Sequence, residues 1–171
     1  MSLDEFNRAD HERAVAEALV WAAVPDWAEA VASGRPYASV DDAARHAEQA
    51  SAGWGLDDLD AALAHHPRIG QRPTGTGAEA AASRREQAAM GGASTETAEA
   101  MARANAAYEE RFGRVFLIRA AGRSPEEMLA EARRRLANDK DSEVIEALAQ
   151  LRQIAILRLR QSLDTPLPEQ Q

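Results

Sequence analysis

Hydrophobic residues recur along this chain at helical spacing, and helix-breaking residues cut the pattern into segments. From Asp10 to about Ala23, Val15, Leu19 and Ala22 fall on one face. "VPDWAEAVASG" predicts a short helix with Pro25 in its first turn and Gly34 as its stop. Ser39, with Asp42 three residues on, has the form of a capping box and opens a helix through "DDAARHAEQA". A further helix runs from about Leu56 to His65. It must end there, because Pro67 pushes His66 out of the α region. "RIGQRPTGTG", residues 68–77, reads as a loop, and residues 78–90 as a helix closed by Gly91 and Gly92.

"STETAEAMARANAAYEERFG" predicts a longer helix on which Met101, Asn105, Tyr108 and Phe112 share a face, with Gly113 just past its end. "RVFLIRA" is the one β-like apolar run, too isolated to make a sheet. Ser124, Pro125 and Glu127 form the clearest helix start in the chain, as N-cap, N1 and N3. Arg133, Arg134 and Arg135 sit mid-helix with Glu126, Glu127 and Glu131 nearby and read as a solvated charged face. The last helix covers about 142–161, and "DTPLPEQQ" reads as a tail that frays from about residue 164. The whole pattern predicts an all-α fold: a single-domain helical bundle of about six to eight helices over residues 1–171.

Composition sharpens this picture. The hydrophobic fraction is 45%, much of it alanine, and aromatic residues make up 5%, a balance that favours helix. A net charge of −8 argues against nucleic acid as a partner and suits a cytoplasmic protein. The absence of cysteine removes disulfides, thiolate nucleophiles and sulfur-ligated metals from the possible chemistry. Lys140, the single lysine, sits in the charged turn "NDKDS", a poor setting for a Schiff base. No apolar run approaches the roughly 20 residues that cross a bilayer, and "MSLDEFNRADHERA" lacks the apolar core of a secretory leader. No membrane association is therefore expected.

Four features carry candidate chemistry. Held in extended geometry by Pro67, His66 projects away from the helix before it and suits general acid or base work near neutral pH. A solvated histidine favoured by the helix C-terminal dipole has the same sequence signature, and His65 fits that description better still. In "SRREQ", Ser83, Glu86 and Gln87 fall at i, i+3 and i+4, so hydroxyl, carboxylate and amide share one face. That face is a pocket wall or an exposed surface; spacing does not decide. Arg158 shares a stripe with Leu151, Ile154 and Ala155, either snorkelling or paired with a carboxylate, but Arg152 and Arg160 can be given similar neighbours. Finally, the backbone groups of "VFLIR" lack sheet partners, which a heterocyclic amide ligand, another loop or water would supply. The four histidines show no zinc-binding spacing, so no metal is expected.

Taken in order, "WAEAVASGRPY", "LAHHPRIG", "SRREQAAM", "NAAYEERFGRVFLIRAAGRSPEEMLAEARRRLAND" and "IAILRLRQSL" resemble the OHCU decarboxylase family across about Phe6 to Leu163. Members of that family convert 2-oxo-4-hydroxy-4-carboxy-5-ureidoimidazoline to (S)-allantoin in urate degradation. The resemblance implies an all-α homodimer that works without a cofactor. It implies that His66 is the catalytic histidine, with Glu86 set against it, Pro67 packed by the substrate, and Ser83 and Gln87 as substrate contacts. It further implies that the backbone of Phe116, Leu117, Ile118, Arg119 and Ala120 reads the ring and ureido amides, and that Arg158 meets the anionic or carbonyl end. His65 departs from the commoner non-histidine at its position. Two other readings compete: a non-catalytic helical interaction module, and a lyase or hydrolase acting on a related ureido compound. The intact set of Ser83, Glu86 and Gln87 beside His66 counts against the first, and the handedness of any allantoin formed separates the second.

Overall fold

The computed structural model describes residues 1–64, 68–69 and 90–164. Among the described residues there is no strand, and eight α-helices follow in order. They are α1 (Leu3–Arg8), α2 (His11–Trp21), α3 (Pro25–Ser33), α4 (Val40–Ala50), α5 (Leu56–Leu63), α6 (Thr95–Phe112), α7 (Pro125–Arg135) and α8 (Lys140–Leu163). A 3₁₀ turn at Ser51–Gly53 follows α4. The all-α expectation is met. The helix expected over 78–90, Met90 apart, and the tail beyond Asp164 lie outside the described residues.

The helix starts follow local capping chemistry. Asp10 accepts from the Arg13 N–H at 2.8 Å to open α2, and Pro25 occupies the first turn of α3, where its missing N–H costs nothing. At α4 only half of the expected box forms: Ser39 accepts from the Asp42 N–H, and its hydroxyl donates to the Asp42 carboxylate. The box at α7 is complete, with Ser124 N–H bonded to Glu127 Oε2 and Glu127 N–H to Ser124 Oγ. Periodicity assigned no helix to the first residues, yet Ser2 and Glu5 make the same reciprocal box and start α1. The last helix begins two residues earlier than expected because Asp139 accepts from the N–H groups of Asp141 and Ser142. Helix α5 ends at Leu63, two residues short of His65.

The described chain falls into two compact units. One comprises residues 1–54 together with the chain from Arg152 onward. Its α2 packs on α3, and α3 on α4. Phe6 meets Trp21 at a centroid distance of 5.1 Å, and Trp27 meets Trp54 at 5.6 Å. The Trp27 indole N–H donates to the Ala47 carbonyl at 2.8 Å, which supplies the polar partner a buried indole requires. Alanine-rich faces such as Ala14, Ala18, Ala28 and Ala32 are buried, so these helices approach closely with little side-chain volume between them.

The other unit comprises Gly55–Leu151. Helix α6 packs on α7, and a cluster of buried side chains that includes Met101, Tyr108, Phe112, Phe116, Ile118 and Met128 forms its core. The stripe expected on α6 is this buried face: Met101, Asn105, Tyr108 and Phe112 are all buried.

Candidate active site

Between α6 and α7 the chain crosses the second unit without secondary structure. Gly113 leaves α6 in the left-handed region, at φ 72°, as a C-terminal glycine does. Gly122, at φ 79°, and the Ser124 cap then start α7. In the intervening segment Phe116, Ile118 and Ala120 enter the core cluster, whereas Leu117 and Arg119 do not. That alternation is the signature of extended backbone.

Backbone bonding alternates as well. The Leu117 carbonyl accepts from Arg135 Nη1 at 2.8 Å. The Arg119 N–H donates to Gln150 Oε1 at 2.9 Å, and the Arg119 carbonyl accepts from the Arg123 guanidinium. The Arg123 N–H donates to the Ala120 carbonyl at 3.0 Å. Extended backbone directs the N–H and C=O of one residue to the same edge and those of the next residue to the opposite edge. The edge carrying Leu117 and Arg119 is therefore tied to protein. Ile118 lies on the other edge, and its N–H and C=O have no protein partner among the described residues, although the residue is only 5% exposed.

The anchor of this segment corrects the sequence expectation for the three arginines. Arg133 and Arg134 are exposed, but Arg135 is fully buried. Arg135 lies seven residues after Met128 and three after Ala132, so it falls on the buried stripe of α7. Its Nε and Nη2 bond the carboxylate of Glu143, which is also fully buried. That carboxylate accepts further bonds from the Tyr108 hydroxyl and, at 2.8 Å, from Asn138 Nδ2. Burial, together with the bond to Glu143, holds the Tyr108 hydroxyl well above the usual phenol range, so it stays a neutral donor. The guanidinium also lies 4.8 Å from the Phe116 ring centroid.

Farther along the same unit, α6 engages residues 68–69. Asn105 Nδ2 donates to the Ile69 carbonyl at 2.9 Å. Arg68 Nη2 reaches Glu109 Oε2, one turn along α6, at 2.7 Å. A cavity of about 330 Å³ opens here, lined by Arg68, Ile69, Met90, Met101, Asn105 and Glu109 among others. Asn105 Oδ1 is buried at this cavity with no partner among the described residues.

Arg158 belongs to the first unit. It is buried rather than snorkelling, and its Nη1 donates to the Val20 carbonyl at 3.3 Å. Arg152 Nε instead donates to the Ser51 carbonyl at 2.9 Å, and Arg160 pairs with Asp41 at 2.6 Å on the surface. Of the three arginines that periodicity left equivalent, Arg158 is the buried one. His66, Pro67, Ser83, Glu86 and Gln87, along with His65, lie outside the described residues. Sequence reasoning passed over Arg135 and Gln150. The stripe position of Arg135 was the available signal, but the neighbouring glutamates and arginines masked it.

Comparison with known proteins places the chain among the decarboxylases as an enzyme class. Residues 7–160 match the sequence profile of the family described as OHCU decarboxylase, and the chain belongs to that family. It is 36% identical over 149 residues to the 2-oxo-4-hydroxy-4-carboxy-5-ureidoimidazoline decarboxylase of Amia calva, covering 83% of this chain and 82% of that protein. It is 29% identical over 160 residues to the protein of the same name from Haloferax volcanii, covering 93% and 94%. In fold it is similar to a crystal structure of OHCU decarboxylase in the presence of (S)-allantoin, with a TM-score of 0.73 at 23% identity over 92% of this chain and all of that one. It is also similar to (S)-allantoin synthase, with a TM-score of 0.69 at 16% identity over 96% of this chain and 55% of that one.

Proposed function

We propose that this chain decarboxylates 2-oxo-4-hydroxy-4-carboxy-5-ureidoimidazoline to (S)-allantoin without a cofactor. The observation that carries the reading is the backbone of Ile118, an N–H and C=O pair in a buried segment whose other edge is held by Arg135 at the Leu117 carbonyl and by Gln150 and Arg123 at Arg119. A planar ligand with adjacent amide donors and acceptors satisfies such an edge, and a ureido-imidazoline is such a ligand. The names of the relatives from Amia calva and Haloferax volcanii support the same substrate.

In this reaction the bond between the carboxylate and the hydroxyl-bearing carbon breaks and CO2 leaves. The electron pair passes into the substrate's own carbonyl-conjugated ring. A proton then returns to the adjacent ureido-bearing carbon from one face, as the hydroxyl loses its proton and its carbon becomes the ring carbonyl of allantoin. The protein's task is to hold the carboxylate out of conjugation, to place donors at developing charge and to deliver the proton. His66, oriented by Glu86, assists CO2 loss and contributes to protonation. Ser83 and Gln87 contact the substrate, Pro67 packs beside it, the 116–120 backbone reads the amides, and Arg158 meets the anionic or carbonyl end. The lone lysine is exposed at the start of α8, which supports a reading without a Schiff base. The acidic, cysteine-free composition supports a cytoplasmic location, and the family resemblance supports a homodimer. No helix among the described residues is long and apolar enough to cross a membrane.

The test is the rate of CO2 release from freshly generated substrate, for the unaltered protein and for His66→Ala. The reading expects a loss of about 10²- to 10⁴-fold in the variant. A His66→Ala protein with the full rate would overturn the assignment of His66.

A further inference from the structure

A fully buried Arg–Glu pair is an unusual thing to build into a small helical core. Apolar residues of similar volume often serve stability equally well, because desolvating two charges offsets their attraction. What apolar residues cannot supply is a directed donor. Arg135 supplies one: while Nε and Nη2 are held by Glu143, Nη1 is left to the Leu117 carbonyl at 2.8 Å, and the flat guanidinium covers the Phe116 ring. Two successive residues of the 116–120 segment are thus gripped by one side chain. Tyr108 and Asn138 in turn hold the Glu143 carboxylate, so the guanidinium has a defined orientation. Gln150 grips the segment again two residues on, at the Arg119 N–H.

A shift of one residue in an extended segment would exchange its two edges. We propose that Arg135, oriented by Glu143, is a positioning residue for substrate binding: it fixes the register of residues 116–120 so that Ile118, and not Leu117 or Arg119, presents its N–H and C=O to the ligand. This rests on the proposal that the segment reads the substrate's amides. Arg135 acts through the backbone, so its loss weakens binding in the ground and transition states alike. The expected signature is a raised KM with little change in kcat.

Arg135→Lys retains a cation for Glu143, but one ammonium cannot reproduce a planar fork that serves the carboxylate and the Leu117 carbonyl together. KM is expected to rise on the order of tenfold to a hundredfold, the scale of a misplaced binding group, with kcat held within about threefold. The double variant Arg135→Met/Glu143→Leu replaces the buried pair by apolar side chains and tests the same point in a core free of buried charge. It should melt cooperatively and show the same KM rise. A folded form of either variant with an unchanged KM would overturn the proposal, as would a kcat loss without a KM change. Hydrogen exchange at the Ile118 amide, with and without (S)-allantoin on the unaltered protein, distinguishes the two levels. If the ligand slows exchange there while the variants bind normally, the positioning role fails and the amide-reading role stands. If the ligand leaves Ile118 exchange unchanged, the amide-reading role itself fails.

Discussion

Asn105 of α6 donates from Nδ2 to the carbonyl of Ile69 at 2.9 Å, and so ties the middle of a core helix to the chain two residues past Pro67. The other amide atom, Oδ1, is buried without a partner among the described residues. Asn105→Leu removes a useful donor and an unsatisfied acceptor together, and the two losses offset in stability. Unfolding free energy is expected to change by no more than about 1 kcal/mol. Catalysis is expected to fall about five- to tenfold, because residues 68–69, just after the proposed catalytic histidine in sequence, keep the Arg68–Glu109 bond but lose the Asn105 tie at Ile69. Thermal melts run beside kcat/KM measurements check this. A large fall in melting temperature with unchanged activity would assign Asn105 to the core alone.

Gly113 turns the chain out of α6 at φ 72°, and a Cβ built there meets no atom within 4 Å. The requirement is therefore conformational and not spatial. Gly113→Ala should lower stability by about 1–2 kcal/mol, the cost of the left-handed region for an ordinary residue. Gly113→Asn should cost less, because asparagine tolerates that region. Urea midpoints for the two variants give the comparison, and equal midpoints would remove the backbone explanation.

Arg134 bridges Glu131 and Glu146 on the surface, and its hydrogen bonds hold both carboxyls below the usual glutamate value of 4.5. A group whose pKa is depressed on folding adds stability above its unfolded pKa, and that stability is lost as pH falls through the folded value. The contribution should thus be present at neutral pH and disappear on acidification below about 4.5. Because all three side chains are partly exposed, it should not exceed about 1 kcal/mol. Stability measured from pH 7 to pH 3 should fall less steeply for Arg134→Gln than for the unaltered protein. Parallel curves would show that the network contributes nothing.

Much of the fold could be read from local chemistry. Ser124 with Pro125 and Glu127, Gly34 and Gly113 punctuate helices where the structure starts and ends them, because capping is decided within four or five residues. Arg135 could not be read with the same security. Its immediate neighbours are charged and solvated, and the partner that draws it inward, Glu143, belongs to the next helix. The 116–120 run was legible as apolar and sheetless. Which of its edges stays open was not, because that depends on Arg135, Gln150 and Arg123 reaching it from elsewhere in the chain. Arg152, Arg158 and Arg160 could not be ranked by periodicity, and only the carbonyls of Ser51 and Val20 and the carboxylate of Asp41 distinguish them.

The central claim concerns the substrate and the face from which it is protonated, so the most direct measurement is the handedness of the product. Oxidation of urate in the presence of the protein generates the substrate in place, and circular dichroism follows allantoin as it forms. The account predicts an (S)-allantoin signal that builds faster than the uncatalysed decay. Racemic allantoin at the uncatalysed rate would contradict it.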